Sequence, residues 1–215
     1  MSPLVLLASL AWAQSADAAS STTPYATLYQ VLSPVAQIAQ YDRLVAIERI
    51  ESKTPGVRPD TIRVVIHAKQ GAMAVPVAAD GEVKFPITDA LRAENPPVET
   101  NQPKGSLALI VNVALKLPGG SRVAWRDIEA ALAQVKAFYA QTQNSAAPSI
   151  EGVEVYFSTG SPAMLTIEGK NERLLMADAN GRILITRANA LENGEPTLVF
   201  SRAPEFVLPY NDENK

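Results

Sequence analysis

Apolar positions along the chain follow two rhythms. From Tyr25 they fall three or four apart, at Tyr25, Leu28, Leu32, Val35 and Ile38, which lines one face of a helix. Thr23-Pro24 suits the start of that helix, with proline at its first position, and Ser33-Pro34 can cap and restart it. A second helix is predicted at 124–142, with Trp125, Ile128, Leu132, Val135 and Phe138 on one face and Asp127 and Glu129 near its positive end.

After each helix the period drops to two. Residues 61–69 alternate, with Ile62, Val64, Ile66 and Ala68 on one face and Arg63, Val65, His67 and Lys69 on the other. Residues 44–51 form a more mixed strand. Strands at 73–78 and 82–87 flank Asp80-Gly81, a hairpin signal because that turn needs a positive φ. Pro76 and Pro86 lie nearly opposite across it, which marks an edge or a bulge. Strands at 153–158, 163–168, 173–177 and 182–186 follow in the second half, the last two around Asn180-Gly181. A short turn or helix is then expected at 89–94 and at 189–193. The last strand is expected at 107–117 and at 197–202, the latter continued by 206–208.

These elements repeat at a distance close to one hundred residues. Ala79-Asp80-Gly81 returns as Ala179-Asn180-Gly181, Ala90-Leu91 as Ala190-Leu191, and Pro96 and Val98 as Pro196 and Leu198. The expected fold class is therefore α+β: two tandem repeats, each one helix packed on a mostly antiparallel sheet of four to five strands. The first repeat is assigned to 23–118 and the second to 119–210, with a hinge at Pro118-Gly119-Gly120-Ser121 and a frayed tail at 211–215. A single fused sheet with a pseudo-two-fold axis is the rival arrangement.

Composition is compatible with two cores. The chain has 215 residues, 47% of them hydrophobic and 19% charged, which is too apolar for a disordered chain. A net charge of −3 with no basic stripe argues against nucleic acid. The absence of cysteine excludes disulfides, thiolate metal sites and a cysteine nucleophile.

Residues 4–13 form an apolar run followed by Ala11-Trp12-Ala13 and Ala16-Asp17-Ala18, as in a cleaved signal peptide over 1–19, although no Lys or Arg precedes the run. Cleavage is expected after Ala18 or Ala19, with Ala13 the next choice. The run falls short of the roughly 20 residues needed to span a bilayer. The expected location is the periplasm, with no membrane span in the mature form.

Candidate chemistry is sparse. His67 is the only histidine and shares its strand face with two cations. No serine elbow, Walker or dinucleotide glycine pattern occurs, and no catalytic residue, metal or cofactor is expected. Glu48 has no acidic partner on its own strand face, while Glu151 and Glu154 would point to opposite faces. The most unusual stretch is 94–106, long, polar and stiffened by proline, where Asn95, Asn101, Gln102 and Lys104 are candidate binding residues. Tyr25 and Trp125 read as packing aromatics.

Tyr41-Asp42-Arg43-Leu44, Gly56-Val57-Arg58-Pro59, and the segment from Phe85-Pro86-Ile87 through Glu94-Asn95-Pro96-Pro97 to Asn101-Gln102-Pro103-Lys104-Gly105-Ser106-Leu107 resemble an uncharacterised bacterial family of small exported proteins with a domain of unknown function. The resemblance implies export from a Gram-negative cell and carries over no catalytic residue. The leading expectation is a non-enzymatic binding protein for an envelope protein or peptide. It would use the 94–106 loop and an edge strand near Pro76 to Pro86. A carboxylate hydrolase of envelope glycan or peptide, and a structural envelope component, are the alternatives.

Overall fold

The computed structural model describes residues 5–8, 20–142, 149–192 and 194–211. Apart from 5–8, the expected signal segment lies outside these residues, as does the expected tail beyond Asn211. Among the described residues the fold is α+β, and every strand pair of assigned register is antiparallel. Among the described residues no helix is long and apolar enough to cross a membrane.

The chain forms two compact units. The N-terminal unit comprises Val5–Gln37 and Ile47–Asn112. It holds β1 (Val5–Ala8), β2 (Ser21–Pro24), α1 (Tyr25–Ala36), most of β3 (Leu44–Ser52), β4 (Val64–Ala68), β5 (Gly71–Val75), α2 (Asp89–Glu94), β6 (Pro97–Thr100) and most of β7 (Leu107–Leu115). One sheet has the order β2-β6-β4-β5 and another the order β1-β7-β3. Helix α1 buries Tyr25, Leu28, Leu32 and Val35, the face that the spacing predicts. Leu28 meets Val64 of β4, Ile50 of β3 and Leu107 and Leu109 of β7 around a void of only about 10 Å³. One helix thus fills a single core shared by both sheets, packed almost without a gap.

Three expectations change here. The first hairpin is a corner between sheets rather than a pair of strands. β5 pairs with β4, but beyond Asp80-Gly81 the chain joins β3: the Ile50 N–H donates to the Gly81 carbonyl at 2.9 Å and the Val83 N–H to the Glu48 carbonyl at 2.9 Å. Only the Val77–Val83 bridge remains of the hairpin, since Pro76 and Pro86 cannot donate to a ladder. Second, α1 runs through Pro34 instead of restarting there. Three residues later it tightens into the 3₁₀ turn Gln37–Gln40, with the Gln37 N–H bonded to the Pro34 and Val35 carbonyls. Third, the supposed loop 94–106 contains β6, an inner strand of its sheet between β2 and β4.

The C-terminal unit includes Ile38–Ala46 and Val113–Lys215. Its elements are β8 (Arg122–Ala124), α3 (Trp125–Thr142), β9 (Gly152–Tyr156), β10 (Met164–Glu168), β11 (Arg173–Met176), β12 (Arg182–Thr186), α4 (Arg187–Leu191), β13 (Thr197–Phe200) and β14 (Phe206–Tyr210). The sheets have the orders β8-β13-β10-β11 and β12-β9-β14. Residues 197–202 and 206–208 therefore do not make one continued strand, because β13 and β14 enter different sheets. Helix α3 buries Trp125, Ile128, Leu132, Val135 and Phe138 as predicted, together with Ala131 and Tyr139.

Residues 38–46 are fastened to α3 by polar side chains. The Tyr41 hydroxyl donates to Gln141 Oε1 at 2.9 Å, the Arg43 N–H to Gln134 Oε1 at 3.0 Å, and Arg43 pairs with Asp127 at 3.2 Å. The Tyr41 ring stands edge-on to Phe138. The string Tyr41-Asp42-Arg43-Leu44 thus has a structural use.

One core position of the N-terminal unit carries a carboxyl. Glu48 is 4% exposed, and its Oε2 accepts the Phe85 N–H at 3.2 Å. Burial pushes its pKa above the usual carboxylate range, against the pull of that N–H and of Lys84. A raised folded value means that the group favours the folded state most below its unfolded pKa, and that this contribution is lost as pH rises through the folded value. Glu48→Gln keeps the acceptor and removes the charge. In urea denaturation it should be about 1 kcal/mol more stable than the parent at pH 7, with the difference vanishing below about pH 4.

Candidate functional site

Of the four residues singled out in 94–106, Asn95 and Asn101 hold the chain's own backbone with their side chains. Asn95 closes α2 in the left-handed conformation at φ 49°, and its Oδ1 accepts the Ala26 N–H at 2.8 Å. Asn101 bridges to the segment before β4: its Oδ1 accepts the Arg63 N–H at 2.7 Å and its Nδ2 donates to the Thr61 carbonyl at 2.9 Å. The Gln102 carbonyl accepts the Ser21 hydroxyl at 2.8 Å. Lys104 is partly exposed. Asn101 and Gln102 sit together beyond the end of β6, while Asn95 precedes the other end. His67 lies on β4, with Nε2 2.8 Å from Glu99 Oε2 on the neighbouring β6, a partner that its own strand does not reveal.

Among the described residues the most exposed large apolar side chains lie elsewhere. Leu174 and Met176 of β11 are 60% and 68% exposed. β11 is the last strand of its sheet. Met176 pairs across to Met164, which is also exposed, and Leu174 to Thr166. These residues form one apolar face at an open sheet edge. A signal was present in the sequence: Leu174, Leu175 and Met176 are consecutive, so both faces of the strand must carry apolar side chains.

A polar cluster joins the two helices of the C-terminal unit. Glu129 lies one turn after Trp125 on α3, and its Oε1 accepts the Trp125 Nε1–H at 2.9 Å. Arg187, the first residue of α4, forks onto the same carboxylate at 2.9 and 2.7 Å. Burial alone would raise the Glu129 pKa, but the Arg187 fork and the indole outweigh it and hold the carboxyl below its usual range. Beside the cluster is a cavity of about 430 Å³ lined by Trp125, Arg126, Glu129, Leu191, Gly194 and Pro196, among others. Its size suits a small group. The spacing of Trp125 and Glu129 was legible, but Arg187 lies 58 residues away.

The buried Glu154 is paired too. It accepts Arg182 Nη1 and the Tyr156 hydroxyl, each at 2.9 Å, and Arg182 also reaches Asp178. Burial first, and then the Glu154 carboxylate, push the Tyr156 hydroxyl up to about 12. Among the described residues no group of three or more His, Cys, Asp or Glu side chains could hold a metal ion. No protein-family model, curated protein or solved structure matches the chain.

Glu129 carries a depressed pKa, so its contribution is present above the unfolded carboxylate value and is lost as pH falls through the folded one. Glu129→Gln should cost about 1 kcal/mol at pH 7, a figure reduced for the partial exposure of the pair. In denaturant titrations the gap should narrow towards pH 3, and an undiminished gap would contradict this reading.

Proposed function

We propose that the protein is an exported, periplasmic, non-enzymatic binding protein, built from two copies of one α+β unit, that takes an extended polypeptide at the open edge of β11. The observation that carries this reading is the exposure of Leu174 and Met176 on that edge strand. Edge strands are normally blunted by charge, proline or cover. β11 instead offers large apolar side chains beside an unfinished ladder, the combination used in strand addition. Export is supported by the apolar run and small-residue motifs of 1–19, and cleavage there would remove β1 and leave β7 and β3 in that sheet.

Matched features support the duplication. The orders β2-β6-β4-β5 and β8-β13-β10-β11 correspond strand for strand. The Tyr25 N–H donates to the Pro96 carbonyl and the Trp125 N–H to the Pro196 carbonyl, each at 2.9 Å. The Ile50 N–H meets the Gly81 carbonyl as the Phe157 N–H meets that of Gly181, also at 2.9 Å. Thr88 caps α2 and Thr186 caps α4. The residue after each cap bonds the fifth residue of the long helix: Tyr29 donates to Asp89 at 3.1 Å, and Glu129 accepts from Arg187.

A photo-crosslinking residue at position 174 or 176, used in the intact envelope, should yield a discrete polypeptide adduct. The β11 amides should become protected from hydrogen exchange in the isolated adduct. Leu174→Asp combined with Met176→Asp, tested with the crosslinker at position 164, should abolish that adduct. Its melting temperature should stay within about 3 °C of the parent, because both side chains face solvent. An adduct that survives this double change, or forms equally from position 104, overturns the assignment.

A further inference from the structure

In the sheet β1-β7-β3, β7 lies between its long partner β3 and the four residues Val5–Ala8. Parity tells which backbone groups each neighbour takes. The Lys53 N–H donates to the Ser106 carbonyl and the Lys116 N–H to the Arg43 carbonyl, so the even-numbered residues of β7 turn their N–H and C=O groups towards β3. The odd-numbered residues turn theirs the other way, and there Leu109 lies opposite Ala8 and Val111 opposite Leu6.

Cleavage after Ala18 or Ala19 would take β1 away and leave those groups bare. The edge so exposed lacks the usual protection. Its nine residues, Leu107–Leu115, are apolar except for Asn112 and include no lysine, glycine or proline. Under the proposed duplication the matching strand is β14, and it is guarded. The Phe157 N–H donates to Gly181 and the Glu151 carbonyl accepts from Arg187, so the odd-numbered residues of β9 face β12 and the even-numbered ones face β14. Phe206, Leu208 and Tyr210 lie opposite those even-numbered residues, which turns Val207 and Pro209 to the open side. The missing N–H of Pro209 falls where a further strand would need it.

Asn112 adds a requirement that β1 does not meet. Its Oδ1 is buried and has no hydrogen-bond partner among the described residues. The residue opposite it in register is Val5, a residue type without a side-chain donor. Residues opposite one another on antiparallel strands share a face, with Cβ atoms about 5 Å apart.

We infer that processing turns the β7 edge into an acceptor for an extended apolar segment of a partner polypeptide, running antiparallel to β7 with a hydroxyl or amide residue opposite Asn112. In the uncleaved chain β1 holds that place and shows the direction and register such a segment takes. The added segment pairs the backbone of Leu109 and Val111, as β1 does, and also gives the Asn112 oxygen its donor. The inference rests on the export reading and not on the β11 edge.

The test is amide hydrogen exchange, read by NMR on the full chain and on the processed protein isolated from the envelope. The Leu109 and Val111 amides should be protected in the full chain and exchange at least about a hundredfold faster after processing. A synthetic peptide of residues 3–10, ending in two added lysines, should restore protection in a saturable way. Leu6→Pro in the peptide should abolish this, because that N–H faces β7, whereas Leu7→Pro, whose N–H points away, should not. Val5→Thr in the peptide should tighten binding about fivefold. Should the processed protein fail to fold, Leu6→Pro in the full chain frees the edge with residues 1–19 in place and takes its role. Amides that stay protected without peptide, equal binding of the two proline peptides, or no gain from Val5→Thr overturn the inference. Protection that grows with the concentration of the processed protein alone would make the occupant a second copy and overturn the partner. An isolated protein that retains residues 1–19 overturns the export reading together with this inference, while crosslinking at position 174 tests the β11 edge separately.

Discussion

Two glycines govern how this chain is routed. At Gly81 and at Gly181 the backbone leaves one sheet and joins another, and each does so while pressed against a strand of the second sheet. Both have positive φ, 86° and 75°. A Cβ on Gly81 would lie 2.7 Å from the Ile50 carbonyl oxygen, and one on Gly181 would lie 2.3 Å from that of Phe157. These are not contacts that a side chain's flexibility can relieve, because both partners are backbone. The same close approach sets the hydrogen bonds from the Ile50 and Phe157 N–H groups to the glycine carbonyls. Only with the corner closed can one run of chain serve two sheets, and only two sheets under a helix give that helix enough apolar surface to bury its stripe.

The polar interior follows from the same arrangement. Where sheets and helices meet at corners, the space cannot be filled by apolar side chains alone, so charged groups enter and are paired. Glu129 is held by Arg187 and Trp125, and Glu154 by Arg182 and Tyr156. Pairs of this kind often add less stability than an apolar replacement would, but they specify geometry. Here each ties elements distant in sequence: α3 to α4, and β9 to β12. Glu48 departs from this pattern, since the contact that holds it is a backbone N–H, and its raised pKa reflects that.

Much of the fold was legible because amphipathic periods report burial directly. The helical stripes from Tyr25 and from Trp125, the alternation through Ile62, Val64 and Ile66, and the two glycine turns all appear in the structure. Of the short strands, Arg173–Met176 and Thr197–Phe200 were legible from their apolar runs. Ser21–Pro24, Pro97–Thr100 and Arg122–Ala124 were not, because each carries too few apolar side chains to stand out and two of them contain proline. The binding residues expected from the sequence illustrate a second limit. Asn95 and Asn101 looked like donors and acceptors offered to a partner, yet both side chains complete hydrogen bonds of neighbouring backbone. A sequence shows that an amide is present; it does not show whether the fold has already used it.

The most direct measurement compares Gly81→Ala and Gly181→Ala with Gly105→Ala by denaturant unfolding. Gly105 also has a positive φ, 78°, but a Cβ there would meet nothing within 4 Å. It therefore reports the conformational cost alone, about 1–2 kcal/mol. If the corners are set by close approach, each of the other two variants should lose at least about 1 kcal/mol more than this control. Equal losses at all three positions would show that the corners need only a left-handed turn, and that the passage between sheets is not fixed by contact with Ile50 and Phe157.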